Sequence, residues 1–197
     1  QQIVVRLPDH NTATIKRVLD IGAQTLMIPM IETAQQAENL VKAMHYPPNG
    51  IRGVGTAMAR AARWNAINDY FCQADTHMCL IAQIESVAGI NNLADIVNVN
   101  GVDAVFIGPS DLAASMGHLG NPSHPEVKQA VADAIRDIVN AGKAAGIFSA
   151  DPSVAQEYEK LGASFMLVGV DVLLLRKAAT ELANKFKGKA VKDASSY

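Results

Sequence analysis

Residues 79–85 read C-L-I-A-Q-I-E, and residues 103–111 read D-A-V-F-I-G-P-S-D. Each segment is an apolar strand pattern that ends in an acidic residue or is soon followed by one. In folds built from parallel strands and helices, ligands bind at the carboxyl ends of the strands. Glu85 and Asp111 are therefore expected to lie at one end of a sheet. Two carboxylates placed in this way can hold one hard divalent cation.

Apolar runs on either side of these segments predict further strands, and most are continuously apolar, as parallel strands covered on both faces should be. Helical patterns separate them, and the clearest is the i, i+3, i+4 spacing from Val127 to Val139. Pro125 suits the first turn of that helix, and Thr33 with Gln36 has the spacing of a capping box at the start of another. This alternation predicts an α/β fold with a parallel sheet and right-handed crossovers. The residues predicted as strands are 3–6, 25–28, 79–85, 104–108, 144–148 and 165–168.

Two architectures fit this alternation, an open doubly wound sheet and a (β/α)8 TIM barrel. The barrel is preferred, because no G-x-G-x-x-G motif follows a strand. A barrel typically needs about 250 residues, whereas this sequence has 197. The pattern opens on a strand at Ile3 without a lead-in, so we expect two N-terminal β/α units to be missing. We predict one barrel domain over residues 1–187 and a weakly ordered tail at 188–197.

Composition excludes several classes of function. The net charge is −2 and no long run of Lys or Arg is present, which argues against a nucleic-acid partner. No apolar segment approaches the ~20 residues that span a bilayer, so no membrane partner is expected. Cys72 and Cys79 do not form a disulfide framework, and a reducing cytoplasm is the expected location.

The candidate chemistry lies at the strand ends. Side chains alternate along a strand, so Gln83 and Glu85 share one face at its carboxyl end. The N–H groups near Gly108, Ser110 and Asp111 open a helix and can hold a substrate carboxylate. These features predict a metal-dependent lyase that acts on a small oxo acid.

A purely structural explanation also remains open for each of these residues. Glu85 can be an exposed acid, Asp111 can serve the helix dipole, and Arg6 can form a structural salt bridge. Asp20, in the last turn of a helix, is more simply a surface acid. The five histidines lack metal-ligand spacing. A Schiff-base route is disfavoured, because Lys16 is mid-helix and Lys143 precedes its strand.

Six segments in order resemble the metal-dependent (class II) pyruvate aldolases of the HpcH/HpaI type. That family includes the 4-hydroxy-2-oxoheptanedioate, 2-keto-3-deoxy-L-rhamnonate and 2-dehydro-3-deoxyglucarate aldolases. The resemblance covers the chain to about Phe186, and the ordered set is far more specific than any one motif. The segments are V-V-R (4–6), I-P-M (28–30), Y-P-P-N-G-I-R-G-V-G (46–55), Q-I-E (83–85), V-F-I-G-P-S-D-L (105–112) and V-G-V-D (168–171).

The resemblance implies retro-aldol cleavage of a 4-hydroxy-2-oxo acid to pyruvate and an aldehyde, in hexamers or trimer-based oligomers that exchange a C-terminal helix. It also implies a catalytic histidine upstream of Val4, within the part expected to be missing. The implied cofactor is Mg²⁺, Mn²⁺ or Co²⁺. The implied roles are metal ligation by Glu85 and Asp111, pyruvate binding by Gln83, Gly108, Ser110 and Asp111, enolate stabilisation by Arg6, support of the histidine by Asp20, and an aldehyde pocket at Phe148 and Val170.

Two other functions stay open at this point. Citrate-lyase-type and malyl-CoA-type lyases share the superfamily, but they need a site for the CoA nucleotide, and no basic cluster lies near the strand ends. A non-catalytic fragment that keeps the fold is the other alternative, because none of the five histidines present replaces the implied base.

Overall fold

The computed structural model of the chain describes residues 3–187. The strands are β1 (Val4–Arg6), β2 (Thr25–Ile28), β3 (Cys79–Ile84), β4 (Ala104–Ile107), β5 (Ala144–Phe148) and β6 (Ala163–Leu167). The helices are α1 (Thr12–Ile21), α2 (Ala34–Met44), α3 (Tyr70–Ala74), α4 (Val87–Asn91), α5 (Leu93–Val97), α6 (Pro109–Ser115), α7 (Pro125–Asn140), α8 (Pro152–Lys160) and α9 (Asp171–Lys187). The predicted tail at 188–197 lies outside the described residues.

All six predicted strands form, and they pair in parallel in the order β1-β2-β3-β4-β5-β6. The sheet curls into a half-barrel, with β1 and β6 as its edges within the described part of the chain. Helices connect successive strands, as the alternating pattern predicts. The preference for a curled sheet over an open doubly wound one is confirmed.

The two faces of the sheet are packed differently. The convex face carries the large core, in which aliphatic side chains such as Leu26, Ile84 and Ile107 meet the surrounding helices and are fully buried. The concave face carries a smaller apolar group that includes Met27, Ile81 and Phe106. Because side chains alternate along each strand, Gln83 shares the concave face with Ile81.

Local sequence signals set the helix ends. Asn11 caps α1 by accepting hydrogen bonds from the N–H groups of Ala13 and Thr14, and Gly22 ends the helix with a φ of 112°. Thr33 and Gln36 form the predicted capping box of α2. Pro125 lies in the first turn of α7, as its spacing predicts.

The long connection between α2 and β3 folds into short helical turns rather than one helix. Two 3₁₀ helices (Thr56–Met58 and Arg60–Ala62) precede α3, and a third (Asp75–His77) follows it. This connection packs against α1, where the Arg60 guanidinium donates to the Ile21 carbonyl at 3.0 Å. Among residues 3–187, no helix combines the length and apolarity that crossing a bilayer requires.

Candidate active site at the carboxyl ends of the strands

Glu85 lies directly after β3, and only 2% of its surface is exposed. Its Oε1 accepts a hydrogen bond from the Met30 N–H at 3.2 Å, and its Oε2 accepts one from Gln83 Nε2. Gln83 Oε1 in turn accepts from Arg6 Nε at 3.2 Å. Arg6 Nη2 lies 3.9 Å from Glu85 Oε1. Side chains from the ends of β1 and β3 therefore form one connected polar group.

The Glu85 carboxyl is buried beside another acid. Burial and the negative charge of Asp111 raise the pKa of Glu85 above its ordinary value of 4.5. The hydrogen bond from Met30, the charge of Arg6 and the hydrogen bond from Gln83 oppose that rise. A buried carboxylate with an acidic neighbour is stabilised by a cation. We call Arg6, Gln83, Glu85 and Asp111 the Glu85 cluster.

Strand pairing explains how Asp111 reaches the cluster. β3 and β4 are neighbours, with Ile84 paired to Ile107, so their carboxyl ends lie side by side. Pro109 starts α6 directly after β4, and Asp111 falls in the first turn of that helix. No side chain of the described residues caps this end of α6. The N–H groups of Ser110 and Asp111, which have no partner within the helix, therefore remain available to an anion.

Gly108 has a different role from the predicted one. Its N–H already donates to the Ile84 carbonyl at 3.0 Å, so it is not a free donor for a substrate. A Cβ atom at this position would lie 2.5 Å from Glu85 Oε2 and 2.9 Å from Glu85 Cβ. The missing side chain therefore makes the space in which the Glu85 carboxylate sits.

The loop that follows β2 completes the surroundings of Glu85. Met30 adopts a left-handed conformation with a φ of 56°, which few non-glycine residues do. The Ser86 hydroxyl donates to Glu32 Oε1 at 2.6 Å, and Asn92 Nδ2 donates to the Glu32 carbonyl at 2.7 Å. These bonds fix the loop to the residues after β3, and so hold the Met30 N–H against Glu85.

Sequence reasoning did not assign Met30 a role of its own. Its contribution is a backbone N–H, which any residue except proline can supply, so its side chain carries no signal. The unusual φ would have favoured glycine, asparagine or aspartate at this position. Only the folded backbone shows that this N–H faces Glu85.

Asp20 lies away from the Glu85 cluster. Helix α1 runs from the carboxyl end of β1 back to the start of β2, which places the last turn of α1 at the opposite end of the sheet. There Asp20 Oδ1 accepts a hydrogen bond from Arg52 Nη2 at 3.1 Å. The structure does not bring Asp20 to the other predicted site residues, and its proposed support of a catalytic base stays a prediction.

Arg52, the partner of Asp20, was not singled out by its sequence pattern. Its side chain is 1% exposed, and its guanidinium carbon lies 4.6 Å from the centre of the Tyr46 ring. Nε and Nη1 of Arg52 have no hydrogen-bond partner among the described residues. Burial raises the pKa of Tyr46, against the effect of the Arg52 charge. Arg52 thus ties the long connection before β3 to the end of α1.

Phe148 and Val170 lie further round the half-barrel. Phe148 ends β5 and packs on the concave face beside Phe106 and Phe165, whose ring centroids are 5.8 Å apart. Val170 is half-buried just before α9, and its carbonyl accepts from the Leu174 N–H. Within residues 3–187, no hydrogen bond joins either residue to the Glu85 cluster. Their assignment to an aldehyde pocket stays a prediction.

The arrangement at the carboxyl ends of β1, β3 and β4 can be compared with known families. The family model described as HpcH/HpaI aldolase/citrate lyase matches residues 1–178. The chain belongs to the HpcH/HpaI aldolase/citrate lyase family. The resemblance inferred from the six sequence segments is thereby confirmed.

Several members of the HpcH/HpaI family are close relatives. A hydroxypyruvate/pyruvate aldolase from Pseudomonas aeruginosa is 56% identical over 189 residues, which cover 96% of this chain and 70% of the relative. A 4-hydroxy-2-oxo-heptane-1,7-dioate aldolase from Klebsiella pneumoniae is 52% identical over 185 residues, covering 94% and 70%. The crystal structure of a family protein from Burkholderia cenocepacia superposes with a TM-score of 0.90 at 38% identity, covering 94% and 74%.

Replacing Gly108 by Ala tests whether this HpcH/HpaI chain needs the empty space beside Glu85. The added Cβ meets both Glu85 and the nearby Gln83 side chain. We expect kcat/KM for aldol cleavage to fall about 10²-fold, because displacing a side chain of an active site by about 1 Å costs that much. Overpacking should also lower the free energy of unfolding by about 1–3 kcal/mol. Steady-state kinetics and thermal melting measure the two effects.

Gly53→Ala is the matched control, because a Cβ at Gly53 meets no atom within 4 Å. Its kinetics and melting temperature should match those of the natural protein. If Gly108→Ala retains full kcat/KM, Gly108 does not shape the site.

Proposed function

We propose that this chain carries the metal-dependent site of a retro-aldolase that cleaves a 4-hydroxy-2-oxo acid to pyruvate and an aldehyde. The observation that carries the proposal is the buried Glu85 carboxylate, which faces the charge of Asp111 at the carboxyl ends of adjacent strands. The relatives at 52–56% identity carry names that describe pyruvate-type aldolases. Site and relatives point to the same reaction class.

A divalent cation fits the residues present. Glu85 and Asp111 offer only oxygen ligands, which suit Mg²⁺, Mn²⁺ or Co²⁺, and the space that Gly108 leaves lies next to Glu85 Oε2. We propose Glu85 and Asp111 as its ligands. When bound, such an ion acts as a Lewis acid toward the oxygens of the oxo acid.

The chain's own groups account for substrate placement and charge. The N–H groups of Ser110 and Asp111 at the start of α6 hold the substrate carboxylate. Gln83 joins Arg6 to Glu85, and so fixes the direction of the guanidinium. As the C3–C4 bond breaks, its electron pair passes to the pyruvate enolate, and Arg6 stabilises that negative charge. C3 then takes up a proton.

The base that accepts the C4 hydroxyl proton is the upstream histidine that the resemblance implies. The described histidines have other positions: His45, for example, pairs with Asp75 at 3.3 Å in the connection before β3. Two β/α units ahead of β1 would complete a (β/α)8 barrel and place such a residue beside Arg6. The proposed barrel and the proposed base are therefore one structural hypothesis.

Helix α9 supports the proposal of a homo-oligomer, hexameric or built from trimers. None of its residues is buried, although it carries large apolar side chains. Leu175 is 71% exposed and Phe186 is 86% exposed. Covering these side chains by another copy of the chain would remove a large apolar surface from water. We further propose a cytoplasmic location, in keeping with the free thiols of Cys72 and Cys79.

The function is tested by following pyruvate release from 4-hydroxy-2-oxoheptanedioate by the full-length gene product. We expect activity with Mg²⁺, Mn²⁺ or Co²⁺, and its loss in a chelator followed by recovery when metal returns. Malyl-CoA and citryl-CoA should not be cleaved. Cleavage of the thioesters alone would favour the CoA-lyase alternative, and cleavage of neither substrate would favour a non-catalytic role.

Borohydride treatment with pyruvate should trap no covalent adduct. Lys143 Nζ is held by the Val102 carbonyl at 2.7 Å, at the amino end of β5, and Lys16 lies within α1. Lys128 does line a crevice together with Ser110. Mass spectrometry after reduction measures the outcome, and a pyruvate adduct on Lys16, Lys143 or Lys128 would overturn the non-covalent mechanism.

A further inference from the structure

A second group of ligand-bearing side chains lies in the segment between α6 and α7. His118, His124 and Glu126 each offer one ligand atom, and these atoms all lie within 4.8 Å of one another. His118 Nε2 lies 3.0 Å from Glu126 Oε2. The rings of His118 and His124 stack with their centroids 3.6 Å apart. None of these residues belongs to the Glu85 cluster or contacts it within the described part of the chain.

The chemistry of this group differs from that of the Glu85 cluster. Two imidazoles and one carboxylate form a nitrogen-rich ligand set, which suits Zn²⁺, Ni²⁺ or Cu²⁺ rather than Mg²⁺. Ligands of a Zn²⁺ ion lie about 2.0–2.2 Å from the metal, so the two imidazole rings must rotate out of their stacked arrangement to direct their nitrogen lone pairs at one ion. The partial exposure of both histidines leaves space for the rotations and for water as a fourth ligand.

The hydrogen bonds that a cation would replace are local. One is the contact between His118 and Glu126, and the other is the 3.3 Å bond from the Glu126 N–H to His124 Nδ1 at the start of α7. Both partners of each bond lie near solvent, so water can satisfy the groups that are released. Metal binding at this position does not require the core to move.

We propose that His118, His124 and Glu126 form a transition-metal site that cross-links the segment after α6 to the first turn of α7. The segment between α6 and α7 bends at Gly117 and Gly120, whose φ angles are 87° and 76°. Gly120 also lines a crevice of about 250 Å³, together with Ser110 and Lys128. A bound ion therefore fixes one wall of the crevice that Ser110, a proposed pyruvate-binding residue, also lines.

Titration with Zn²⁺ in the presence of millimolar Mg²⁺ tests the proposal. The Mg²⁺ competes for oxygen-only sites such as the one proposed at Glu85, so calorimetry should report one remaining Zn²⁺ site per chain. A Glu85→Gln variant should retain this binding. The test of the Zn²⁺ site therefore does not depend on whether the chain is an aldolase, and the test of the aldolase function does not depend on whether Zn²⁺ binds.

His118→Gln should weaken the Zn²⁺ affinity by about 10- to 100-fold or more, since changes outside the ligand set already cost that much. Glu126→Gln should weaken it in the same direction. His77 is an exposed histidine at the opposite end of the sheet. His77→Gln is therefore the matched control and should leave the Zn²⁺ affinity unchanged. A melting curve recorded without metal shows whether each variant is folded.

Thermal stability gives a second measurement. A ligand that binds only the folded state raises the melting temperature. With millimolar Mg²⁺ present, Zn²⁺ should therefore raise it for the natural protein and for His77→Gln, and raise it less for His118→Gln. The proposal is overturned if Zn²⁺ fails to bind in the presence of Mg²⁺. It is equally overturned if His118→Gln and Glu126→Gln bind Zn²⁺ as tightly as the natural protein.

Discussion

Glu85→Gln is expected to lower kcat/KM for cleavage of a 4-hydroxy-2-oxo acid by at least ~10²-fold, because changes to groups that merely orient a metal ligand already cost 10- to 100-fold. Glutamine has nearly the same shape as glutamate but removes the negative charge that a cation requires. Glu85 is buried directly after β3, and its substitution leaves Asp111 as the remaining carboxylate of the proposed ligand pair. Steady-state kinetics at saturating Mg²⁺ or Mn²⁺, with metal binding measured by calorimetry, tests the effect.

Asp103→Asn is the matched control for this substitution. Asp103 precedes β4 at the opposite end of the sheet, where its Oδ2 accepts a hydrogen bond from the Leu80 N–H at 2.7 Å. Asparagine can accept the same bond, so kcat/KM should not change. Full activity of Glu85→Gln in the presence of a chelator would remove Glu85 from the proposed metal site.

Glu85→Gln should also change the stability of the metal-free protein, and this effect is expected to be favourable although the effect on activity is not. Well below pH 4.5, Glu85 is protonated in both the folded and the unfolded chain. Above that pH the unfolded chain loses the proton first, because burial and Asp111 raise the pKa in the folded state. Without metal, the ionisation of Glu85 therefore lowers the free energy of unfolding as the pH rises through the raised pKa.

Glu85→Gln avoids this loss, since glutamine does not ionise. The metal-free variant should melt at a higher temperature than the natural protein at pH 7, and the difference should disappear well below pH 4.5. Mg²⁺ or Mn²⁺ should raise the melting temperature of the natural protein but not that of Glu85→Gln. A variant that is less stable at every pH would show that the hydrogen bonds from Met30 and Gln83 outweigh the burial of charge.

Arg6→Ala is expected to lower kcat by about 10²- to 10³-fold, the usual cost of removing a donor that stabilises an oxyanion. Arg6 donates to Gln83 and lies 3.9 Å from Glu85, while half of its side chain remains exposed toward the concave side. It can therefore meet a substrate oxygen without leaving its partners. The effect should fall on kcat more than on KM, because the negative charge develops as the bond breaks.

A second effect of Arg6→Ala distinguishes a role at the site from a merely structural one. The positive charge of Arg6 lowers the pKa of Glu85, so removing it should raise that pKa. The acidic limb of the kcat/KM profile should then move to higher pH. Arg6→Lys keeps the positive charge but loses the planar fork of the guanidinium. Its acidic limb should therefore lie close to that of the natural protein, while its kcat should stay well below the natural value.

Arg136→Ala provides the control for this pair of variants. Arg136 lies on the outer surface of α7, where it bonds only to Asp133 among the described residues, three positions earlier in the same helix. Its removal should leave kcat and the pH profile unchanged. An Arg6→Ala variant with the kcat of the natural protein would exclude Arg6 from the reaction.

The sequence alone determined the order and type of the main elements. Continuous apolar runs predicted all six strands, and the Thr33–Gln36 capping box and Pro125 predicted two helix starts. These signals are local, because a strand or a helix end depends mainly on neighbouring residues. Alternation along β3 also placed Gln83 and Glu85 on one face correctly, since the side-chain period of a strand is fixed by its backbone.

Only the tertiary structure decided which groups meet at Glu85 and which do not. The Met30 N–H reaches Glu85 from a loop 55 positions away, and Arg52 reaches Asp20 across 32 positions. Gly108 matters for the side chain it lacks, and Asp20 is carried to the far end of the sheet by the direction of α1. Such contacts depend on how strands and helices pack in space, and no periodicity within the chain records them.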